Sequence, residues 1–352
     1  MIKKIAVLYG GRSGEHEVSV NSAQAVMEGL EQIEDYEVVP VFITKEGEWQ
    51  LHGNRVALLP DPAIGGLYLL DGESGGNIVS IDVVFPVLHG TFGEDGTIQG
   101  LLELARIPYV GAGVAGSAVG MDKILMKAVL KSFGLPVGDY LWFTATKWKK
   151  DRTKLVEDIA AKLGFPCFVK PANLGSSVGI SKVYKQFELE PAVEEALQYD
   201  HRIIVEKFLP GSEIECSVLG NDDPMASLPG QIVPCNDFYD YKAKYIDDRS
   251  ALIIPAQLQP ETVQQVQELA IKAFLMLDCA GLARVDFFVD EKARKIWINE
   301  INTLPGFTAI SMYPKLWEAS GIPFPELLRR LVELAEERAA KRAQLKTSFT
   351  PA

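Results

Sequence analysis

Apolar residues recur along this 352-residue chain in two rhythms, and each predicts an element. Positions 5–9 form an unbroken apolar run, as a parallel strand buried on both faces requires. A glycine-rich turn follows. Then Val20, Ala23, Met27 and Leu30 repeat at helical spacing and predict a helix over 19–31. Positions 38–43 read as a second strand, and strand–helix–strand is a parallel, Rossmann-like α/β unit. Residues 45–77 are glycine-rich and lack a period, so they read as an excursion with short strands, with no role assigned. Further strands are predicted at 81–88, 107–110, 167–170 and 202–206. A helix over 261–277, strands over 283–289 and 296–302, and a final helix from Pro325 to about Arg342 complete the pattern. The class is α/β (α+β). Breaks in the pattern suggest three domains: 1–120, 121–211 and 212–352. The last contains an irregular stretch, 233–249, too long for a simple connection and so expected to be functional.

Composition narrows the class. Hydrophobic content of 47% and charged content of 23% are those of an ordinary globular protein. A net charge of −12 argues against coating nucleic acid. No segment is long and apolar enough to span a bilayer, and the short apolar run at the start falls short of a signal peptide, so a cytoplasmic protein is expected. Cys167, Cys216, Cys235 and Cys279 lie far apart, which favours reduced thiols over a disulfide framework or zinc site.

Polar residues inside apolar strands carry the chemistry. Arg284 and Asp286 are two apart on one strand, hence on one face, and Glu300 and Asn302 are likewise paired, on a face expected to include Ile298. Charges there are costly unless paired or bound to metal. An Arg284–Glu300 salt bridge would leave Asp286 and Asn302 without partners, so oxygen ligation of magnesium is the favoured reading. Upstream, Lys123 follows a glycine-rich turn, and Lys170 precedes the loop Asn173-Leu-Gly-Ser-Ser-Val-Gly179. Backbone amides and small hydroxyls of such a loop can fold over phosphates, although an ordinary hairpin turn would look similar. A phosphate cradle followed by a metal cradle suits ATP. Gly111-Ala-Gly-Val-Ala-Gly116 matches a dinucleotide fingerprint, but residues 129–136 hold no acid to receive a ribose. These glycines therefore read as close packing at a domain edge. No P-loop motif occurs.

Seven blocks in series are similar to those of the D-alanine–D-alanine ligase family, in the ATP-grasp superfamily, over nearly the whole chain. They are Gly10-Gly-Arg-Ser-Gly-Glu-His-Glu-Val-Ser19, His89-Gly-Thr-Phe-Gly-Glu-Asp-Gly96, Met121-Asp-Lys123, 170–179, Phe238-Tyr-Asp-Tyr-Lys-Ala-Lys-Tyr245, Arg284-Val-Asp286 and 299–311. The resemblance implies an N-terminal substrate-binding domain and ATP held between the sheets of the other two. Lys123, Lys170, Ser176 and Ser177 would meet the phosphates, Glu206 and Glu213 the adenine and ribose, and Lys244 would belong to a mobile loop closing over ATP. Two Mg2+ (or Mn2+) ions would be held by Asp286, Glu300 and Asn302, with K+ a candidate addition. Glu15 would hold the ammonium of the first amino acid, with His89 nearby, and Ser176 would bond Tyr245 and Glu15. Arg284 and an amide near Gly306 would stabilise an oxyanion, and Ser311 would take the second carboxylate.

From residues alone, Glu15 would be a helix-dipole partner and His89 a structural histidine. The aromatic stretch around Tyr245 reads better as a water-excluding lid, because an acyl phosphate would otherwise hydrolyse. The implied activity is ATP-dependent joining of two D-alanines for peptidoglycan, by a homodimer that engages neither nucleic acid nor membrane. Tyr245 goes with dipeptide formation in that family, rather than with D-alanine–D-lactate ligation. Another ATP-grasp carboxylate–amine ligase and a non-catalytic nucleotide sensor are the competing readings.

Overall fold

The computed structural model describes residues 2–71, 76–175, 178–233, 251–308 and 310–346. Ser176, Ser177, Lys244, Tyr245 and nearly all of 233–249 lie outside the described residues, as does Cys235.

Three sheets follow one another along the chain. The first has seven strands in the order β6-β5-β4-β3-β2-β1-β7. These are β1 (Lys3–Gly10), β2 (Tyr36–Ile43), β3 (Trp49–Leu51), β4 (Asn54–Leu58), β5 (Gly66–Leu69), β6 (Ile78–Ser80) and β7 (Val83–Val87). Helix α1 (His16–Leu30) joins β1 to β2, and both β2 and β7 run parallel to β1, as the apolar runs predict. The Rossmann-like pattern stops there. The 45–77 excursion builds β3 to β6, which pair antiparallel because short connections can only return a strand alongside its predecessor. The strand expected at 107–110 is reduced to one bridge, Tyr109 to Val84.

Helices α2 (Thr97–Ala105), α3 (Val114–Met121) and α4 (Lys123–Ser132) lead to the second sheet. Its four antiparallel strands, β8 (Tyr140–Thr144), β9 (Cys167–Pro171), β10 (Ser181–Val183) and β11 (Arg202–Lys207), take the order β10-β9-β11-β8. Helices α5 (Ala145–Lys162) and α6 (Leu189–Ala196) supply Trp148, Ile159, Leu189 and Val193 to its core.

The third sheet comprises β12 (Ser212–Gly220), β13 (Met225–Ala226), β14 (Gly230–Val233), β15 (Ala251–Ile253), β16 (Gly281–Asp290) and β17 (Lys295–Asn302), all antiparallel. Helix α7 (Pro260–Met276) covers one face through Val266, Ala270, Ala273 and Phe274. After α8 (Met312–Ala319), the final helix α9 (Phe324–Ala343) returns to the first sheet. Its Leu327, Leu328, Leu331 and Val332 share a core with Ile5, Val7, Ala23, Val26 and Phe85. Arg338 donates to the carbonyls of Tyr109 and Gly111 and stacks on the Tyr109 ring, clamping the helix there.

The glycines at 111–116 behave as close-packing residues. A Cβ on Gly116 would overlap the carbonyl oxygen of Asp278, and Gly111 lies against Gly281. Gly116→Ala should destabilise the protein by about 1–3 kcal/mol, since the obstacle is main chain and cannot swing aside. Urea denaturation checks this, and an unchanged midpoint would refute the packing argument.

Candidate active site

A cleft of about 220 Å3 opens where the three sheets converge. One wall carries Lys123 and Lys127 from α4, Lys170 from β9 and Glu206 from β11. The opposite wall carries Glu213 and Glu215 from β12, Arg284 from β16, and Glu300 and Asn302 from β17. Glu15 and His89, from the first sheet's loops, close one end with Gly306 and Ser311.

The opposing wall depends on strand register. Arg284 pairs with Asn302, and Asp286 with Glu300, but Phe287 pairs with Ile298. Asn299 is thus the extra residue of a β-bulge. The bulge corrects one expectation: Ile298 does not share a face with Glu300. It faces the apolar side, fully buried with Val285, Phe287 and Ile301. Without the extra residue, either Ile298 or Glu300 would sit on the wrong side of the sheet.

Arg284 is the hub of this wall. Its Nε and Nη2 donate to Oδ1 and Oδ2 of Asp286, each at 2.7 Å, and Nε lies 3.0 Å from Glu215 Oε2. Burial opposes its charge, yet Asp286 and Glu215 hold its pKa well above the ordinary guanidinium value. Asp286, 2% exposed, also accepts from Asn302 Nδ2 at 3.1 Å. The expected contrast, in which a salt bridge strands Asp286 and Asn302, is therefore not realised. The bridge forms to Asp286 itself, and Asn302 bonds the same carboxylate. Asp286 lies beneath the cleft wall, while Glu300 and Asn302 line it.

The donor set of two carboxylates and one amide, all offering oxygen, fits a hard cation such as Mg2+. Among the described residues no three histidine, cysteine or acidic side chains form a metal cage. Phosphate oxygens would have to complete the coordination, which is how Mg2+ usually binds beside a nucleotide.

On the facing wall Lys170 Nζ lies 2.6 Å from Glu206 Oε2, and Lys127 Nζ lies 3.1 Å from Oε1. Burial alone would raise the Glu206 pKa, but the two ammonium groups overcome it and bring it to about 2. The glycine loop is tethered at its base. Asp122 caps α4, accepts from Asn173 Nδ2 and pairs with Arg202, while Asp200 accepts from the Asn173 amide. Lys123 Nζ donates to the Leu174 carbonyl at 2.6 Å.

At the closed end, Glu15 is pressed between glycines: a Cβ on Gly90 or Gly175 would lie 2.6 Å from its Oε2. His89 Nδ1 donates to the Leu304 carbonyl at 3.1 Å, and Nε2 accepts from Ser22 Oγ at 3.2 Å. Burial lowers the His89 pKa, so the neutral ring is the stable form. Ser22 Oγ also accepts from the Phe307 amide, so α1, His89 and the 304–307 turn are joined. In that turn Ser311 Oγ accepts from the Thr308 amide at 3.0 Å, and a Cβ on Gly306 would lie 2.8 Å from Ser311 Oγ.

Lys127, Glu215 and Glu94 line the cleft with no role legible in the sequence. Lys127 stands four residues after Lys123, a spacing that places both on one helix face. Glu215 stands two after Glu213 on β12, again one face. Glu94 lies within the 89–96 block and accepts from the Gly90 amide at 2.6 Å.

Two antiparallel sheets closing on a cleft with lysines on one wall and oxygen donors on the other define an ATP-grasp ligase. Comparison with known proteins is specific. The family model described as "D-ala D-ala ligase N-terminus" matches residues 4–112, and "D-ala D-ala ligase C-terminus" matches 129–333. A D-alanine–D-alanine ligase of Solibacter usitatus is 52% identical, with 95% of this chain and 96% of the relative covered. That of Natranaerobius thermophilus is 48% identical, with 99% and 98% covered. The solved D-alanine–D-alanine ligase of Coxiella burnetii superposes with a TM-score of 0.86 at 39% identity, covering 97% and 96%. The VanG D-Ala:D-Ser ligase of Enterococcus faecalis gives 0.85 at 35%, covering 95% and 100%. The chain belongs to the D-alanine–D-alanine ligase family.

Burial, and secondarily the charge of Glu15, raise the Glu94 pKa to about 8. Because the folded value exceeds the ordinary 4.5, this acid's contribution is full below about pH 4.5 and is lost as the pH rises through about 8. Glu94→Gln should therefore flatten the fall in stability across that window, as read from denaturation midpoints at pH 5, 7 and 8.5. Parallel curves for mutant and wild type would contradict the assignment.

Proposed function

We propose that the chain activates one D-alanine with ATP and joins it to a second, through an acyl phosphate. The observation that carries this reading is the convergence of three chemically distinct walls on one cleft: lysines, oxygen donors, and the Glu15–His89 end. In this reading Lys123, Lys170 and the loop bearing Ser176 and Ser177 hold the phosphates, with Glu206 and Glu213 toward the adenine and ribose. Glu15 takes the ammonium of the first D-alanine, and His89, locked as a neutral ring, shapes that end. Lys244 and Tyr245 belong to the segment that closes the cleft and excludes water.

The first carboxylate oxygen attacks the γ-phosphorus. The bond to the bridging oxygen breaks, and ADP departs with that electron pair. Lysine ammonium groups offset the charge gathering on the transferred oxygens. Asp286, Glu300 and Asn302 would hold Mg2+ or Mn2+, which when bound supplies Lewis-acid neutralisation of the phosphate oxygens. The second D-alanine, its carboxylate placed by Ser311, attacks as a neutral amine. The carbonyl oxygen becomes an oxyanion, which Arg284 and the amide near Gly306 stabilise; collapse breaks the bond to phosphate, which leaves with that electron pair and takes up the proton lost by the amine. Arg284 suits this task because its carboxylate partners keep it both charged and fixed.

The dipeptide would feed peptidoglycan assembly, with the enzyme a cytoplasmic homodimer and K+ an ion to be tested. Among the described residues no helix is long and apolar enough to cross a membrane. Because one structural neighbour is a D-Ala:D-Ser ligase, the acceptor is the point to test. Purified protein with ATP and D-alanine should release ADP, phosphate and D-alanyl-D-alanine. L-alanine should be inert, and D-serine and D-lactate poor acceptors at neutral pH. Mainly mixed dipeptide or ester would overturn the acceptor assignment, and no phosphate release with D-alanine would favour the sensor reading. Arg284→Ala should lower kcat about 100-fold or more, the scale of a lost oxyanion donor. Glu300→Ala should abolish turnover, and a wild-type rate in either variant would remove that residue from the mechanism.

A further inference from the structure

Lys127 has no part in the chemistry above, yet it is among the most deeply buried cations near the cleft, its side chain 3% exposed. Its Nζ donates to the main-chain carbonyl of Asn299 at 2.8 Å and lies 3.1 Å from Glu206 Oε1. Glu206 belongs to the second sheet. Asn299 belongs to the third and is the extra residue of the β17 bulge, immediately before Glu300. Two groups from different sheets thus meet on one ammonium, carried by a helix that belongs to neither. The segment after α4 adds a second tether, since Ile298 donates its amide to the Pro136 carbonyl at 2.8 Å.

Burying an ammonium costs several kcal/mol even when it is paired, and an apolar side chain would fill the space at less cost. What an apolar residue could not supply is orientation. A bulged residue lacks a ladder partner, so its carbonyl direction needs an outside donor. A carboxylate between two ammonium groups is held at both oxygens. If Lys127 were absent, Lys170 would be left to hold Glu206 alone, although Lys170 is the cation placed to meet phosphates.

We infer that Lys127 is a positioning residue that ties the two walls of the nucleotide cleft together, aiming Glu206 at the base and setting the bulged strand so that Glu300 and Asn302 face the phosphates. This rests on the reading of the cleft as a site for ATP and Mg2+. It separates two effects. The ion pair with Glu206 acts on nucleotide affinity, and the hydrogen bond to Asn299 acts on divalent-cation affinity.

The test uses the intact protein and two binding measurements that need no turnover: calorimetry of ADP without metal, and electron paramagnetic resonance of Mn2+ at saturating ADP. Lys127→Met should weaken both ADP and Mn2+ binding about tenfold or more, the scale of a lost charge-assisted bond. Glu206→Gln should weaken ADP alone. In the double variant ADP binding should be no weaker than in Glu206→Gln, while Mn2+ binding stays weakened. Lys127→Arg keeps the charge beside Glu206 but misplaces the donor to Asn299, so it should weaken Mn2+ and spare ADP. That variant decides the question if Lys127→Met does not fold. ADP and Mn2+ affinities within twofold of wild type in folded Lys127 variants would overturn the inference. A wild-type protein that binds neither ADP nor Mn2+ would instead overturn the reading of the cleft itself.

Discussion

A buried charge survives in a protein only beside its opposite, and this constraint organises the seam between the second and third sheets. Glu206 is held by Lys170 and Lys127, and Arg284 by Asp286 and Glu215. The Arg284 cluster lies within the third sheet, across β12 and β16, whereas the Glu206 cluster adds Lys127 of α4 to two strands of the second sheet. The same clusters leave polar atoms facing a common space. That space is lined by cations on one side and oxygen donors on the other, which is what a triphosphate with its divalent cation requires.

The three sheets contribute differently to this arrangement. The first brings Glu15 and His89 on loops at the ends of β1 and β7, where parallel strands place their carboxyl ends together. The second brings Lys170 and a tethered glycine loop, while α4, ahead of that sheet, brings Lys123 and Lys127. The third brings the bulged strand pair. The last helix, far along the chain, packs on the first sheet, so the two ends of the polypeptide share one core.

Much of this was legible in the residue order, for identifiable reasons. An unbroken apolar run marked β1, and charges two apart inside apolar strands marked Arg284 with Asp286 and Glu300 with Asn302. Counting by two assumes a regular ladder, however, and the bulge at Asn299 breaks it, which is why Ile298 was placed on the wrong face. Lys127 was missed because a lysine on an amphipathic helix ordinarily marks the solvated side, and only packing shows that α4 turns this one inward. Glu94 shows no role in the residue order, since its environment is made by Glu15 and Leu304, distant in sequence. The antiparallel extension β3–β6 lacked a period because its strands are three to five residues long.

The central claim is that Glu300 and Asn302, backed by the buried Asp286, face a nucleotide gripped by Lys123 and Lys170. Anomalous diffraction from crystals grown with ADP and Mn2+ tests it most directly. Manganese peaks within coordination reach of Glu300 and Asn302, between those side chains and the diphosphate, are the predicted result. Peaks elsewhere, or a diphosphate lying away from both lysines, would contradict the account.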